Sequence, residues 1–336
     1  VFLLLTTVKS LYKWRPNKIT EISHTTPTVT IGIPARNETQ DLPECIESML
    51  ASDYPKLEII VLDDCSHDKT PEIIKEYAHR GVRFIKGEQP NKDWLAKNQA
   101  MNKIFDESKG DILIFTGVDV RFTPQTVRHI VNMIENDNDM ISVLPKRSLE
   151  HELSVFIQPL RYWWELSVPR FYGARPPVLS TCWGIKRKSL QSLGEFDSYR
   201  KSVQPEAHFA KRLRNTYRFI ISGNRLGVTS VKPAREQYDT AIRTRYPQTK
   251  RRLESTFLLL LIEIAIFFTP LFGLIYGISQ DNDSVALLSA VVIGIFVLIN
   301  SIISALTVTK TWFLGVASLP FLLIEEWFIV IRSMLA

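Results

Sequence analysis

Residues 257–278 form a nearly unbroken apolar run that contains one acid, Glu263. As a helix it would be roughly 33 Å long at about 1.5 Å per residue, enough to cross a hydrocarbon core of about 30 Å. A second run covers residues 285–308. A third, residues 312–335, is interrupted by Glu325, Glu326 and Arg332. A buried helix of a soluble domain explains the first two poorly, so two spans are expected. The third either spans with its acids facing other helices or lies at the interface. Arg243, Arg245, Lys250, Arg251 and Arg252 precede the first run, and residues 280–284 carry two acids and no base. The positive-inside rule then sets residues 28–256 in the cytoplasm of a multi-pass protein of the cell membrane. The expected organisation is a membrane-proximal segment and linker at 1–27, a cytoplasmic domain at 28–256 and a transmembrane region at 257–336. The apolar start at residues 1–5 is too short to span; it is either the tail of a membrane helix or a frayed terminus.

The middle of the chain has a different texture. Residues 28–33 alternate β-branched positions, and 57–62, 82–85 and 112–115 are short apolar runs that suit strands buried on both faces. Helical stretches at 42–50, at 71–79 and from Ala96 onward connect them. Four strand–helix units with connections long enough for right-handed crossovers predict an α/β fold, a doubly wound, mainly parallel sheet.

Open sheets of this kind bind ligands beyond the carboxyl ends of their strands. There lie Pro34-Ala35-Arg36-Asn37-Glu38, then Asp63-Asp64-Cys65-Ser66-His67-Asp68-Lys69-Thr70, then Lys97 and Asp119. Asp68 and Thr70 read as caps for the helix at 71–79. Asp63 and Asp64 lie too early to cap it, and two adjacent acids after a buried strand are costly unless one serves a ligand. Lys97 at a helix start opposes the helix dipole unless a phosphate lies nearby, or it is simply a solvated lysine. Asp119 either touches a substrate or metal or caps the helix that Thr123-Pro124 begins.

Several classes are not signalled. No GxGxxG follows the first strand and no GxxxxGK[ST] occurs, so neither a dinucleotide site nor a P-loop is indicated. Cys45, Cys65 and Cys182 are far apart, which argues against a disulfide framework or a zinc cluster. The net charge of +6 points to anionic headgroups or phosphorylated substrates rather than nucleic acid.

Taken in order, the 34–38 loop, the DDxSxDxT pattern at 63–70 and Ala96-Lys97-Asn98-Gln99-Ala100-Met101-Asn102 resemble the family 2 glycosyltransferases, inverting enzymes of GT-A fold that use nucleotide sugars. The likeness covers about residues 28–215. Trp94-Leu95-Ala96-Lys97 is similar to the variant found in membrane glycosyltransferases that act on hopanoids, carotenoids and ceramide. The resemblance implies that Pro34, Ala35, Asn37, Glu38 and Asp64 hold the nucleoside and that Lys97 contacts the base or diphosphate. It implies that Asp119 stands for the second acid of a DxD motif that binds Mg²⁺ or Mn²⁺. The first acid is replaced by Gly117, so either one carboxylate with phosphate oxygens holds the cation or the enzyme works without it. Gly194-Glu195-Phe196-Asp197 resembles the turn before the catalytic helix, which aligns Pro205-Glu206 with the family's acidic pair. Glu206 is then the general base, with Asp197 and His208 as fallbacks. The QxxRW motif is poorly kept: Ile242 stands where Gln belongs, before Arg245-Tyr246.

The expected activity is transfer of a sugar from a UDP- or GDP-sugar to a lipid-like acceptor. The alternatives are a polyprenyl-phosphate glycosyltransferase, whose anionic acceptor needs no base, and a non-catalytic protein that keeps the fold. Residues 151–175 mix aromatic and basic side chains and read either as a helix on the membrane surface or as a packed insertion.

Overall fold

In this computed structural model the described residues are 2–15, 26–148, 166, 177–249, 251–308 and 312–335. They fall into two compact units. One comprises Trp14–Arg147 and Arg175–Val231; the other comprises Val1–Lys13, Ser148–Ala174 and Lys232–Ala336. The expectation for residues 151–175 lies outside the described residues except at Leu166, and most of the linker before residue 28 does so too.

The chain begins with helix α1 (Phe2–Lys13). The sheet-bearing unit then follows the predicted alternation: β1 (Val29–Ala35), α2 (Leu42–Leu50), β2 (Leu57–Asp63), α3 (Thr70–Glu76), β3 (Val82–Lys86), α4 (Ala96–Glu107) and β4 (Ile112–Thr116). After β4 come β5 (Val120–Phe122), α5 (Thr126–Glu135), β6 (Met140–Leu144) and β7 (Lys146–Arg147). Next are β8 (Cys182–Lys186), α6 (Arg187–Ser192), α7 (Pro205–Arg212), β9 (Tyr217–Ile221) and β10 (Val228–Ser230).

The main sheet has seven strands in the order β3-β2-β1-β4-β8-β6-β9. Its β3-β2-β1-β4 half is parallel, as is the β6–β9 pair. β8 runs antiparallel to both of its neighbours. Its amino-terminal end therefore arrives where the parallel strands have their carboxyl ends, with Cys182 opposite Thr116. A smaller sheet, β5-β10-β7, sits beyond β4.

Alternation along the strands sorts the core onto two faces. Ile31, Ile33, Ile59, Val61, Ile112 and Ile114 pack with α2 and α5. Ile60, Leu62, Leu113 and Phe115 pack with α4, α6 and α7. Every residue of β4 is buried, as its apolar run predicted. On the second face Phe115 stacks on Trp183 at 4.7 Å between ring centroids, and Phe196 meets Phe209 edge-on at 5.6 Å. Phe209 belongs to α7, so this aromatic cluster fixes the helix that carries Glu206. α4 lies close over β1 because residue 32 is glycine: a Cβ there would meet Ile104 Cγ2 at 2.5 Å.

Two local expectations change. Residues 178–185 read in the sequence as one strand, but the strand begins at Cys182, which leaves residues 178–181 as an irregular approach to the sheet. Thr70 does not cap α3. Its hydroxyl accepts instead from the Glu38 amide at 2.8 Å, while Asp68 accepts from the Thr70 amide at 3.0 Å.

The other unit contains α8 (Ala234–Gln248), α9 (Leu253–Ser279), α10 (Asp283–Thr307) and α11 (Gly315–Leu335). Among the described residues, α9 and α10 are long and apolar enough to cross a membrane. Phe257, Leu258, Leu261, Ile264, Leu271 and Phe272 are exposed on α9 while Glu263 is buried, the inside-out pattern suited to lipid. α8 packs on α11. Arg245 and Glu326, both buried, form a two-pronged ion pair between them, at 2.5 Å (Nε–Oε1) and 2.6 Å (Nη2–Oε2).

Candidate active site

The first wall of the site is the pair of loops beyond β1 and β2. Asn37 has φ +57°, a left-handed conformation that asparagine tolerates better than most residues. In that conformation its amide donates to Ser66 Oγ at 2.9 Å and its Oδ1 accepts from the His67 amide at 2.9 Å. The Asp64 amide donates to the Ala35 carbonyl at 2.8 Å, and Thr70 holds the Glu38 amide. Pro34, Ala35, Asn37, Glu38 and Asp64 are thus brought together. Asp63 is buried and accepts from the Ser66 amide; Asp64 is half-buried. Burial raises the Asp64 carboxyl above its ordinary value, Arg36 opposes that rise and Asp63 adds to it.

Asp119 lies between β4 and β5, at the carboxyl end of β4 as expected. Its carbonyl accepts from the Val231 amide at 2.9 Å, and its Oδ2 accepts from Ser230 Oγ at 2.7 Å. Ser230 closes β10, which pairs with β5. Gly117 gives the carboxylate room, since a Cβ at 117 would meet Asp119 Oδ1 at 2.5 Å. The Gly117 amide donates to the Thr181 carbonyl at 3.0 Å, so the irregular segment before β8 lies against the Asp119 turn. Burial pushes the Cys45 and Cys182 thiols up to about 12. Arg121 partly opposes this at Cys45, and the Asp119 charge contributes to the rise at both.

Glu206 occupies the first turn of α7, behind Pro205 at the start, as expected. It is fully buried. Ser180 Oγ donates to its Oε1, whereas Oε2 has no hydrogen-bond partner among the described residues. A buried carboxylate oxygen without a donor is poised to accept a proton or a hydrogen bond from a ligand hydroxyl. Ser180 adjoins Thr181, so one short segment contacts both the Glu206 carboxylate and the Asp119 turn. The fallbacks are otherwise engaged: Asp197 pairs with Arg200 at 2.6 Å, and His208 stacks on Tyr199 at 4.7 Å between centroids.

Lys97 is exposed in the first turn of α4. The next residue, Asn98, is buried, and its Nδ2 lies 2.8–3.1 Å from the carbonyls of Tyr199, Arg200 and Ser202.

The donor set around Asp119 suits a hard cation. Among the described residues no group of three His, Cys, Asp or Glu forms a protein cage. Asp119 does present a carboxylate with one oxygen fixed by Ser230 and the other beside Gly117. Mg²⁺ commonly takes one or two protein carboxylates and completes its shell with phosphate and water, and a single acid fits that mode.

Sequence reasoning missed Ser180, Ser230 and the anchoring role of Asn98. Serines carry no local pattern, and these acquire their partners through pairing across 26 and 111 residues of chain.

Residues 30–194 match the family model described as Glycosyl transferase family 2. Glu206 lies beyond the matched segment. The probable glycosyltransferase YdaM of Bacillus subtilis is 27% identical over 63% of this chain and 51% of its own length. The 4,4'-diaponeurosporenoate glycosyltransferase of Staphylococcus haemolyticus is 35% identical over 29% of this chain and 25% of its own. The undecaprenyl-phosphate 4-deoxy-4-formamido-L-arabinose transferase of Pseudomonas savastanoi is 28% identical over 34% of this chain and 35% of its own. The matched stretches span about half the length of these relatives or less. Among solved structures, the Pyrobaculum calidifontis mannosyltransferase PcManGT, in complex with GDP-Man and Mn²⁺, superposes with a TM-score of 0.57 at 16% identity. That match covers 99% of this chain and 94% of the other, and it shows the shared GT-A fold.

Proposed function

We propose, for a chain that carries a glycosyl transferase family 2 domain, that it is a membrane-bound inverting glycosyltransferase. It moves a sugar from a UDP- or GDP-sugar to the hydroxyl of a lipid-like acceptor. The observation that carries the reading is Glu206, buried, with one oxygen held by Ser180 and the other open to a proton.

The residues divide the work. Pro34, Ala35, Asn37, Glu38 and Asp64 bind the nucleoside, and Lys97 places its positive charge on the diphosphate. Asp119, steadied by Ser230, would hold Mg²⁺ or Mn²⁺, which offsets charge on the leaving diphosphate. Glu206 takes the acceptor hydroxyl proton on Oε2. The acceptor oxygen forms its bond to the anomeric carbon from one face while the nucleoside diphosphate departs with the bonding pair from the other, inverting the centre. α9 and α10 anchor the protein in the cell membrane. The basic residues that precede α9 favour a cytoplasmic domain, where nucleotide sugars are made.

The test is transfer by the full chain in detergent, with a panel of UDP- and GDP-sugars and a membrane lipid extract, read by mass spectrometry of the lipids. A hexosylated lipid that forms with the natural chain and not with Glu206→Gln is the expected result. No product and no nucleotide-sugar hydrolysis with any donor would overturn it. A second reading, transfer to polyprenyl phosphate, is favoured by relatives named for undecaprenyl phosphate. An anionic phosphate acceptor has no proton to remove, so retained activity in Glu206→Gln selects that reading.

A further inference from the structure

Two loops approach each other on the α4 face of the sheet, and one side chain joins them. Asn98 is 1% exposed. An asparagine amide has two donor hydrogens, and here the nitrogen serves three carbonyls: Tyr199 at 3.1 Å, Arg200 at 3.0 Å and Ser202 at 2.8 Å. The Leu95 amide adds a fourth link to the Arg200 carbonyl at 3.0 Å. Outside, the Arg200 guanidinium lies over the Trp94 ring at 5.3 Å.

The clasped loop leads directly into α7. Ser202 Oγ accepts from the Gln204 amide at 3.3 Å, and the Gln204 carbonyl accepts from the Ala207 amide at 3.2 Å. Glu206 sits inside that turn. The outer side of residues 197–202 lines an open cleft of about 500 Å³ with Asp93, where the other tie across to residue 93 is the solvent-exposed Lys201–Asp93 ion pair at 2.6 Å, a weak contact beside the buried clasp. Without the Asn98 amide the Ser202 carbonyl loses its donor, while the Tyr199 and Arg200 carbonyls keep only the Ser202 amide at 2.9 Å and the Leu95 amide at 3.0 Å, so the side-chain tie between helix and loop is lost even though the loop's own turn persists.

We infer that Asn98 is a positioning residue: it ties the helix start that carries Lys97 to the loop that sets the first turn of α7, and so fixes where the Glu206 carboxylate stands. Lys97 and Asn98 are consecutive in the first turn of α4, one exposed and one buried. The helix end that meets the donor phosphate is therefore the same one that holds the base in register. The catalytic part of this inference rests on the function proposed above; the mechanical part does not.

The test compares the full natural chain with Asn98→Asp, which keeps the shape and removes the donor hydrogens, and with Asn98→Ala. Hydrogen exchange followed by mass spectrometry, in detergent, should show faster exchange at residues 199–209 in both variants, with the parallel strands β1 and β2 unchanged. In transfer assays kcat should fall about 10²-fold, the order expected for misplacing a catalytic group by about 1 Å. KM for the nucleotide sugar should stay within about twofold. Unchanged exchange at 199–209 overturns the inference whether or not the chain has activity. Faster exchange with an unchanged kcat overturns the link to Glu206. A normal rate in Glu206→Gln counts against the proposed base and leaves the exchange result to judge Asn98 alone.

Discussion

Ser230 Oγ donates to Asp119 Oδ2 at 2.7 Å, joining the last residue of β10 to the acid beyond β4 across 111 residues of chain. The bond points one carboxylate oxygen inward and leaves the other beside Gly117. Asp119→Ala should abolish the cation-dependent part of UDP or GDP binding, and Ser230→Ala should weaken it by about 10- to 100-fold, the scale of one hydrogen bond to a charged group. Isothermal calorimetry with and without Mn²⁺ checks both. Binding that ignores Mn²⁺ and Asp119 alike would remove the metal from the mechanism.

Glu206→Gln keeps the volume and the Ser180 contact but cannot take a proton. Turnover with a hydroxyl acceptor should drop by about 10²–10⁴-fold, with nucleotide binding unchanged. Ser180→Ala, which leaves the carboxylate in place without its orienting donor, should cost about tenfold. Steady-state kinetics on both variants decide this.

Asp64 provides a pH test. Its carboxyl is raised in the folded protein, first by burial, so ionising it costs folding free energy. That cost is absent below the unfolded value of about 3.9 and is incurred as pH rises through the folded value. Asp64→Asn should therefore melt higher than the natural chain at pH 7, and the difference should close as pH falls below about 4. Melting curves across that range would show a constant offset if the premise were wrong.

The thiols divide by burial. Cys45 and Cys182 are fully buried, with values pushed up to about 12, whereas Cys65 is half-buried in the loop after β2. Iodoacetamide at pH 8 should label Cys65 alone in the folded chain and all three after denaturation, as read by peptide mass spectrometry. Early labelling of Cys182 would contradict the packing around Asp119.

Arg245 and Glu326 are 2% and 0% exposed. Removing one partner strands a buried charge, so Arg245→Ala should destabilise the helical unit by about 3–5 kcal/mol, and the double change Arg245→Met with Glu326→Leu should recover most of the loss. Thermal unfolding in detergent, followed by circular dichroism, distinguishes the two.

The parallel half of the sheet was legible because its strands are short apolar runs whose burial on both faces leaves a continuous signal. β1, β2, β3 and β4 lie within two residues of the expected spans. Asp119 and the 34–38 loop were placed by the rule that ligands meet the carboxyl ends of such strands, and Pro205 marked the start of α7. β8 was expected four residues early because Val178 and Leu179 are apolar for another reason. Both are buried, and Leu179 bonds Ser142 Oγ through its amide at 2.9 Å rather than pairing with β4. Thr70 was read as a cap because its position suits one, yet the Glu38 amide across the crevice claims its hydroxyl. Contacts of that kind depend on which distant loop arrives, and no local pattern records them.

The reversed direction of β8 also bears on how the chain comes into being. Synthesis delivers β1 to β4 long before residues 182–186 emerge, and until then β4 is the rim of a four-stranded sheet. A buried apolar strand with its backbone amides and carbonyls unpaired on one side is a template for another molecule's strand. A nascent chain that stalls before residue 187 is thus an aggregation hazard, and the segment that later carries Ser180 to Glu206 is also the one that seals it.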